Sequence, residues 1–489
     1  MPFTYNQVSL DGSRHPTRKA DLVPLSMFDL NRNLLSESKP LVGSMYVRYG
    51  EDGSKTPIYR FDGMRWNDWE PDLSYQQSKA FRAALDGKNL FITGSGGNGK
   101  TFLVRKIVQA LQAKGMTVAV TASTGIAAIQ AGGMTIHAFL GTGISRNVVE
   151  ARASMSVDRV ERTRFRLKAT HVLILDEVSM LTGDYLDMMN RWMQIILCNK
   201  KPFGGIQVIL VGDALQLPPV ITEKDEKHLD KRYFFQSDAW SAGSFETHHL
   251  TVGFRQGDDQ EFKDHLANIR YGKAPEATLK YFNSRVNAKL EESDPTKLYP
   301  LRCDVEQANE DHLASLPGEA FGYSPIYDGN EKWIASLQNN LPCEDPLVLC
   351  EGAKVMFTKN NLKAGYANGT RGVVVDCTED SIKVQTKAGP IEVERAVWEM
   401  KDPQGQVLAS VSNYAMVLAA AVTVHKSQGA TMEWVEFDPA RIFERGQTYV
   451  ALSRVTKLSG LRLTSPLESK HVRASKLCVD FYKDLQTSE

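Results

Sequence analysis

Leu90-Phe91-Ile92-Thr93-Gly94-Ser95-Gly96-Gly97-Asn98-Gly99-Lys100-Thr101 is an apolar run that breaks into glycines and closes on a lysine and a hydroxyl. Its last eight residues fit G-x-x-x-x-G-K-[ST]. Glycines let successive backbone N–H groups curl around phosphate oxygens with no Cβ in the way. Lys100 is placed to reach the β- and γ-phosphates, and Thr101 to hold Mg2+. With Gly at about 7% of residues, chance gives such a match in only about a few per cent of chains of this length. The flanks agree: a strand precedes the loop, and Leu103, Ile107 and Leu111 fall on one face of a following helix.

Three more apolar runs deliver small or polar residues in the same way. Residues 118–121 lead into Ala122-Ser123-Thr124, 172–175 into Asp176-Glu177, and 208–211 into Gly212-Asp213. Such runs alternating with helical stretches predict a parallel sheet with crossover helices. Ligands of open α/β sheets lie outside the carboxyl ends of the strands. Asp176 can hold Mg2+ through water, and Glu177 can orient and deprotonate an attacking water. Two adjacent acids suit hydrolysis better than transfer to an organic acceptor.

The 489 residues are 42% hydrophobic, 9% aromatic and 24% charged, ordinary values for a soluble globular protein of about three domains. The 58 Lys and Arg balance 58 Asp and Glu. That excludes a histone-like protein held to polyanions by bulk charge, and an acidic disordered chain. It leaves room for a basic groove. Cys198, Cys303, Cys343, Cys350, Cys377 and Cys478 are too scattered for a zinc ribbon or redox pair, and read as free thiols of a reducing compartment. Residues 1–24 lack the apolar core of a signal peptide. The most apolar stretch, 415–424, is too short to span a bilayer. The expected location is the cytoplasm.

Residues 1–70 differ from the rest. The first 40 are polar and aperiodic. Between 45 and 69, Tyr46, Val47, Tyr49, Ile58, Tyr59, Phe61 and Trp66 mark a short β-meander, with turns at Asp52-Gly53 and Asp62-Gly63. Its aromatics either form a miniature core or stack on bases. Arg159, Arg162, Arg164, Arg166 and Lys168 stand against one acid, Glu161. They predict either a basic exposed face or an ordinary solvated helix. Residues 347–411 are strand-rich, with turns at Ala367-Asn368-Gly369, Lys387-Ala388-Gly389 and Pro403-Gln404-Gly405. They read as a small β-barrel inserted in an α/β unit that resumes at Tyr414, with strands at 435–437 and 461–463.

Several longer segments resemble one known family. Gly212-Asp213-Ala214-Leu215-Gln216-Leu217-Pro218-Pro219-Val220 looks like the third motif of superfamily-one helicases. Pro202-Phe203-Gly204-Gly205-Ile206-Gln207 before it narrows the resemblance to the petite-integration-frequency family of 5′-to-3′ DNA helicases, and more loosely to the phage Dda and bacterial RecD helicases. Leu73-Ser74-Tyr75-Gln76-Gln77 resembles the family's adenine-reading segment. Thr121-Ala122-Ser123-Thr124-Gly125-Ile126-Ala127-Ala128 and Thr135-Ile136-His137-Ala138-Phe139 resemble its strand-contacting segments. Phe254-Arg255-Gln256, Thr423-Val424-His425-Lys426-Ser427-Gln428-Gly429 and Tyr449-Val450-Ala451-Leu452-Ser453-Arg454 resemble its fourth, fifth and sixth motifs. The match runs in order from Leu73 to Arg454.

The resemblance implies an α/β fold of two RecA-like parallel-sheet domains with ATP and Mg2+ in the cleft between them. The first would span 71–245, with a small insertion at 140–168 carrying the strand-separating element. The second would span 246–346 and 409–489, around an SH3-like barrel at 347–408. Residues 1–70 would be a β-rich accessory region, and the candidate surface for a replication or recombination protein. The implied nucleotide contacts are Gln77, residues 94–101 and Gln428. Lys100, Glu177, Gln216, Arg255 and Arg454 would be catalytic, with Gln216 sensing the γ-phosphate. Thr101 and Asp176 would hold the metal. Thr124, His137, Phe139, His425 and Ser427 would contact DNA, with His137 and Phe139 equally open to core packing.

The implied activity is ATP-driven translocation on single-stranded DNA, 5′ to 3′, with unwinding at junctions with duplex. Replication, recombination and repair all use such motors, in the cytoplasm of a bacterium or a phage-infected host. Polarity follows from the resemblance alone. The competing readings are an ATP-gated single-stranded-DNA-binding protein that does not unwind, an RNA helicase, and a subunit of a larger recombination machine.

Overall fold

The computed structural model describes residues 73–487, apart from 132, 144, 146, 154, 222–225, 292–294, 330, 332–333, 335–337, 339–343, 360, 362–363, 367–369 and 402–406. Before residue 73 it describes the backbone of four strands. The turns expected at 52–53, 62–63, 367–369 and 403–405 lie outside the described residues.

The central feature is a six-stranded sheet in which every pair is parallel. Its spatial order is Glu246–Leu250, Leu90–Gly94, Gln207–Gly212, Val172–Asp176, Val118–Ala122, Met134–Thr135. Central parallel strands are covered on both faces, so they read as unbroken apolar runs rather than alternating ones. Residue by residue the alternation is still there. Phe91, Leu173, Leu175, Val208 and Leu210 pack into one core with Trp192 and Met193 of the helix Gly183–Leu197. Leu90, Ile92, Val172, Ile174, Ile209 and Val211 pack into the other, with Phe81, Leu103, Ile107 and Leu111. Each such fully buried side chain contributes about 1.5–3 kcal/mol.

The register aligns the strand ends. Thr93 pairs with Gly212, Gly94 with Leu250, and Ala122 with Asp176. The glycine-rich loop, the two acids and Asp213 therefore emerge along one edge of the sheet.

A second, four-stranded parallel sheet runs in the order Ala421–Thr423, Thr296–Tyr299, Val435–Phe437, Leu461–Leu463. It has its own core, with Phe262, Phe282, Leu298, Val435, Phe437 and Tyr449 among its members. Antiparallel strands occupy the chain between 321 and 418. Five of them form the sheet Gly389–Glu392, Ile382–Thr386, Arg371–Cys377, Lys354–Phe357, Met416–Leu418 around a separate buried cluster. Ile326–Gly329, Val407–Tyr414 and Arg395–Lys401 form another sheet, and Phe321–Tyr323 pairs with Leu347–Leu349. Phe321–Tyr323 and Ile326–Gly329 are too short to show a period in the sequence, so the strand-rich region begins earlier than periodicity indicates.

At the N-terminus, Met45–Tyr49, Lys55–Phe61 and Trp66–Asp68 pair in the expected meander, and Tyr5–Val8 adds a fourth strand inside the stretch read as aperiodic. The C-terminal helix Lys476–Thr487 does not stay with the second sheet. Its Cys478 and Tyr482 are buried in the core of the first.

Candidate functional site

The phosphate loop begins where the strand Leu90–Gly94 ends. Gly97 and Gly99 have φ of 92° and 77°, a left-handed backbone that a Cβ disfavours. The helix Lys100–Ala113 starts straight after Gly99, so its unpaired first-turn N–H groups face the loop. The Lys100 ammonium donates to the carbonyls of Gly94 at 2.7 Å and Ser95 at 3.1 Å, drawing the loop into a ring. Burial pushes the pKa of Lys100 down, while the charges of Asp213, Glu177 and Asp176 hold it up.

Asp176 is buried at the end of its strand and accepts a hydrogen bond from the Glu177 N–H at 2.8 Å. Burial, and then the neighbouring Glu177 charge, push its carboxyl up to about 7. A carboxylate so destabilised gains from a cation beside it, and with the Thr101 hydroxyl on the adjoining helix it fits a magnesium ion. Glu177 has a φ of 52°, a strained conformation for a side-chain-bearing residue. Ser123 Oγ donates to its carbonyl at 2.7 Å, and Gln428 Nε2 to its carboxylate at 2.9 Å. Gln428 thus links the second half of the chain to the acid at the first sheet's edge.

The two arginines arrive from that same half. A Cβ on Gly97 would lie 2.5 Å from the Cβ of Arg255, and one on Gly96 would lie 3.3 Å from an Nη of Arg454. Arg255 donates to Thr431 Oγ1 at 3.0 Å and to the carbonyls of Ser453 and Gly429 at 3.0 and 3.3 Å. Burial lowers its pKa. Arg454 is buried and donates to the carbonyls of Val450, Ser427 and Ala430 and to Ser453 Oγ. Burial, followed by the charge of Arg255, presses its pKa down to about 9. Both guanidinium groups stay charged at neutral pH, side by side against a loop shaped for phosphate. An anion there would relieve both.

Gln77 is buried, with its orientation set by a capping box. Its Oε1 accepts from Ser74 N–H at 3.0 Å while Ser74 Oγ accepts from Gln77 N–H at 3.4 Å. Its Nε2 points at the Gly99 carbonyl. Gln216 is also buried and donates to Asp213 at 3.3 Å.

Three residues in the site carry no role in the sequence reading. Tyr449 Oη accepts from the Gly96 N–H at 2.8 Å, so a side chain from the sixth motif holds a phosphate-loop amide. Phe254 is half exposed, and its ring would come within 3.2 Å of a Cβ on Gly99. Tyr449 opens the sixth motif and Phe254 directly precedes Arg255, so proximity to a motif was their signal. Arg270, which pairs with Asp213 at 2.7 and 3.0 Å, gave none.

The five residues expected at DNA separate into two groups. Phe139 is buried in the first core with Arg166 over its ring at 5.2 Å, so it packs rather than presenting a stacking face. Ser427 is buried and its Oγ donates to the Val424 carbonyl at 2.8 Å, so it shapes the loop that carries Arg454's acceptor. Thr124 is partly exposed and caps the helix Gly125–Gln130 through Ala127 N–H. His137 packs on Tyr185 and His425 on Phe443. Burial lowers the pKa of both histidines, Glu444 opposing it for His425. The basic run is a helix, Val157–Ala169. Arg164 is tied to Glu161 and Arg166 to the Ala138 carbonyl, while Arg159, Arg162 and Lys168 are exposed beside Phe165.

Residues 72–280 match the sequence profile of the PIF1-like helicase family. The chain is 35% identical to the ATP-dependent DNA helicase Pif1 of Bdellovibrio bacteriovorus, over 85% of this chain and 93% of that one. The crystal structure of Pif1 helicase from Candida albicans superposes with a TM-score of 0.77 at 34% identity, over 85% of this chain and all of that one. The Pif1 helicase from Bacteroides, crystallised with ADP-AlF3 and single-stranded DNA, gives a TM-score of 0.69 at 29% identity over 86% of this chain. The glycine loop, the two acids and the facing arginines thus sit in a chain that belongs to the PIF1-like helicase family.

Proposed function

We propose that this protein is an ATP-driven DNA helicase that translocates 5′ to 3′ on single-stranded DNA and unwinds duplex at junctions. The observation that carries the reading is the pair Arg255 and Arg454, the first half-buried and the second buried, packed against Gly96 and Gly97 of the phosphate loop. The loop amides and Lys100 would hold the β- and γ-phosphates, and Gln77 the adenine, with the Phe254 ring beside it. Thr101 and Asp176 would hold a magnesium ion, which would neutralise charge developing on the phosphates. Glu177 would orient and deprotonate the attacking water. The arginines would neutralise the γ-phosphoryl in the transition state. Once phosphate leaves, both guanidinium groups, carried by the same half of the chain, are left desolvated without an anion against the phosphate loop, and opening the cleft returns them to water. Hydrolysis is thereby coupled to separation of the two sheets. Thr124, His137, His425 and the exposed Arg159, Arg162 and Lys168 are the side chains this reading assigns to the strand. Contacts of this kind are to phosphate and base faces, tolerant of sequence, as a motor requires.

In domain terms the reading is a RecA-like unit at 71–245, a second at 246–346 and 409–489, an SH3-like insertion near 347–408 and an accessory region at 1–70. The separate buried cluster around Val355, Phe357, Val374 and Val384 supports the insertion as a folding unit of its own.

Unwinding of 5′-tailed and 3′-tailed duplexes tests the proposal. Activity on 5′ tails alone is the expected result. Activity on 3′ tails alone reverses the polarity, and DNA-stimulated hydrolysis without unwinding would make the protein an ATP-gated binder.

The raised pKa of Asp176 gives a second expectation. In the nucleotide-free protein the carboxyl is largely protonated below pH 7 and ionised above it. Metal–nucleotide binding requires the ionised form, so it should release about one proton at pH 6 and markedly less at pH 8. Titration calorimetry in buffers of different ionisation enthalpy reads this directly. The same release from an Asp176→Asn variant would assign the proton elsewhere.

A further inference from the structure

Asp213 is fully buried and accepts more hydrogen bonds than an ion pair alone provides. Arg270 donates to both its oxygens, at 2.7 and 3.0 Å. Leu215 N–H donates at 3.1 Å, Gln216 Nε2 at 3.3 Å and Tyr482 Oη at 3.0 Å. Burial would raise this carboxyl, but Arg270 and the other donors hold it below its usual value, so it stays ionised.

The proton positions around Tyr482 follow from the partners. Asp213 can only accept and the Ala214 N–H, at 3.1 Å, can only donate. The single Tyr482 proton therefore goes to Asp213, and Thr93, at 2.6 Å, donates to Tyr482. Thr93 immediately precedes the phosphate loop. Tyr482 thus ties the root of that loop to the turn that carries Gln216.

The three contributors come from three places. Arg270 closes the helix Gln260–Arg270, whose Phe262, Leu266 and Ile269 belong to the second core. Asp213 follows a strand of the first sheet. Tyr482 belongs to the C-terminal helix, anchored in the first core and by Phe481 stacked on Phe235 at 4.2 Å. Parting the two sheets here would strand a buried carboxylate, whereas turning about this contact would not.

We propose that Tyr482 is a positioning residue of the ATPase: it sets the Asp213 carboxylate, and through it the Gln216 amide, in register with the phosphate loop. Arg270 fixes the second sheet to the same point. The inference rests on Gln216 acting at the γ-phosphate. With one amide hydrogen given to Asp213, the second can be directed at a phosphate oxygen.

The test is steady-state ATP hydrolysis with saturating single-stranded DNA by the full chain, comparing Tyr482→Phe, Gln216→Ala and the double variant. Thermal melting is followed in parallel. Tyr482→Phe keeps the ring and removes only the hydroxyl. It should lower kcat about tenfold, equivalent to about 1.4 kcal/mol, with KM within about twofold. The double variant should be no slower than Gln216→Ala, because both act through one group. Wild-type kcat in Tyr482→Phe beside an impaired Gln216→Ala overturns the inference and leaves the γ-phosphate reading standing. Multiplying effects also overturn it, since they mean that Tyr482 acts on folding or elsewhere. Unchanged turnover in Gln216→Ala overturns the γ-phosphate reading, and this inference with it.

Discussion

Replacing Lys100 with alanine is expected to lower DNA-stimulated ATP turnover by about a thousandfold, the upper range for loss of one preorganised electrostatic donor. Binding of single-stranded DNA should persist. The ammonium lies across the mouth of the loop, bonded to the Gly94 and Ser95 carbonyls and facing Asp176, Glu177 and Asp213. In the nucleotide-free protein those carbonyl bonds hold it in place. With nucleotide bound it can swing to the β- and γ-oxygens, where charge grows in the transition state. A second variant, Lys100→Met, keeps most of the stem and the packing but not the charge, and should be equally inactive. Phosphate release gives turnover, and fluorescence anisotropy of a labelled oligonucleotide gives binding. Near-normal turnover in either variant would refute the phosphate-site assignment.

The parts of this site that lie within a continuous segment were readable without coordinates. The strand ends at Gly94, Asp176 and Gly212 are legible because a buried parallel strand must be apolar throughout, and must stop where the chain meets ligand or solvent. The loop itself is legible because Gly94, Gly97 and Gly99 take positive φ angles that favour glycine. Phe139 and Ser427 show where this ends. An aromatic beside a polar motif residue is the same pattern whether it stacks on a base or fills the core. Only burial separates the two cases, and burial depends on partners far along the chain. Tyr482 is 269 residues from the carboxylate it holds, on a helix whose own period says only that one face is apolar. Nothing in that period says which sheet the face will cover. The strand Tyr5–Val8 escaped for another reason: four residues that alternate weakly carry too little pattern to outweigh their polarity.

Zero formal charge has a structural counterpart in this site. Many of the cations that matter are spent locally: Arg270 on Asp213, Arg164 on Glu161, Lys231 on Asp187 and Asp238. The exceptions are concentrated. Arg255 and Arg454 bond to neutral carbonyls and hydroxyls, and Arg159, Arg162 and Lys168 are exposed on a single helix, Val157–Ala169. A motor that must release its strand in every cycle gains from attraction confined to such places, since diffuse positive charge would hold DNA through the whole cycle.

Arg454 gives the sharpest separation of binding from catalysis. Arg454→Ala should lower kcat by about a thousandfold or more, as loss of an arginine finger does, while KM for ATP moves only a few fold. Every bond its guanidinium makes in this structure is to a neutral acceptor, at 2.7 to 3.2 Å. Those bonds fix its direction without neutralising it, and Arg255 beside it makes the unneutralised charge less favourable. The ground state with ATP offers partial relief. The transition state, with charge spread over the equatorial oxygens of the γ-phosphoryl, offers more, and that difference is what accelerates the step. Arg454→Lys keeps a charge but loses the planar fork that its four acceptors orient, so it should be nearly as defective as alanine. Binding of ADP with aluminium fluoride, which mimics the transferring phosphoryl, should weaken far more than binding of ADP alone. A purely structural role predicts the opposite pattern: both nucleotides weakened together, a lower melting temperature, and kcat preserved at saturating ATP.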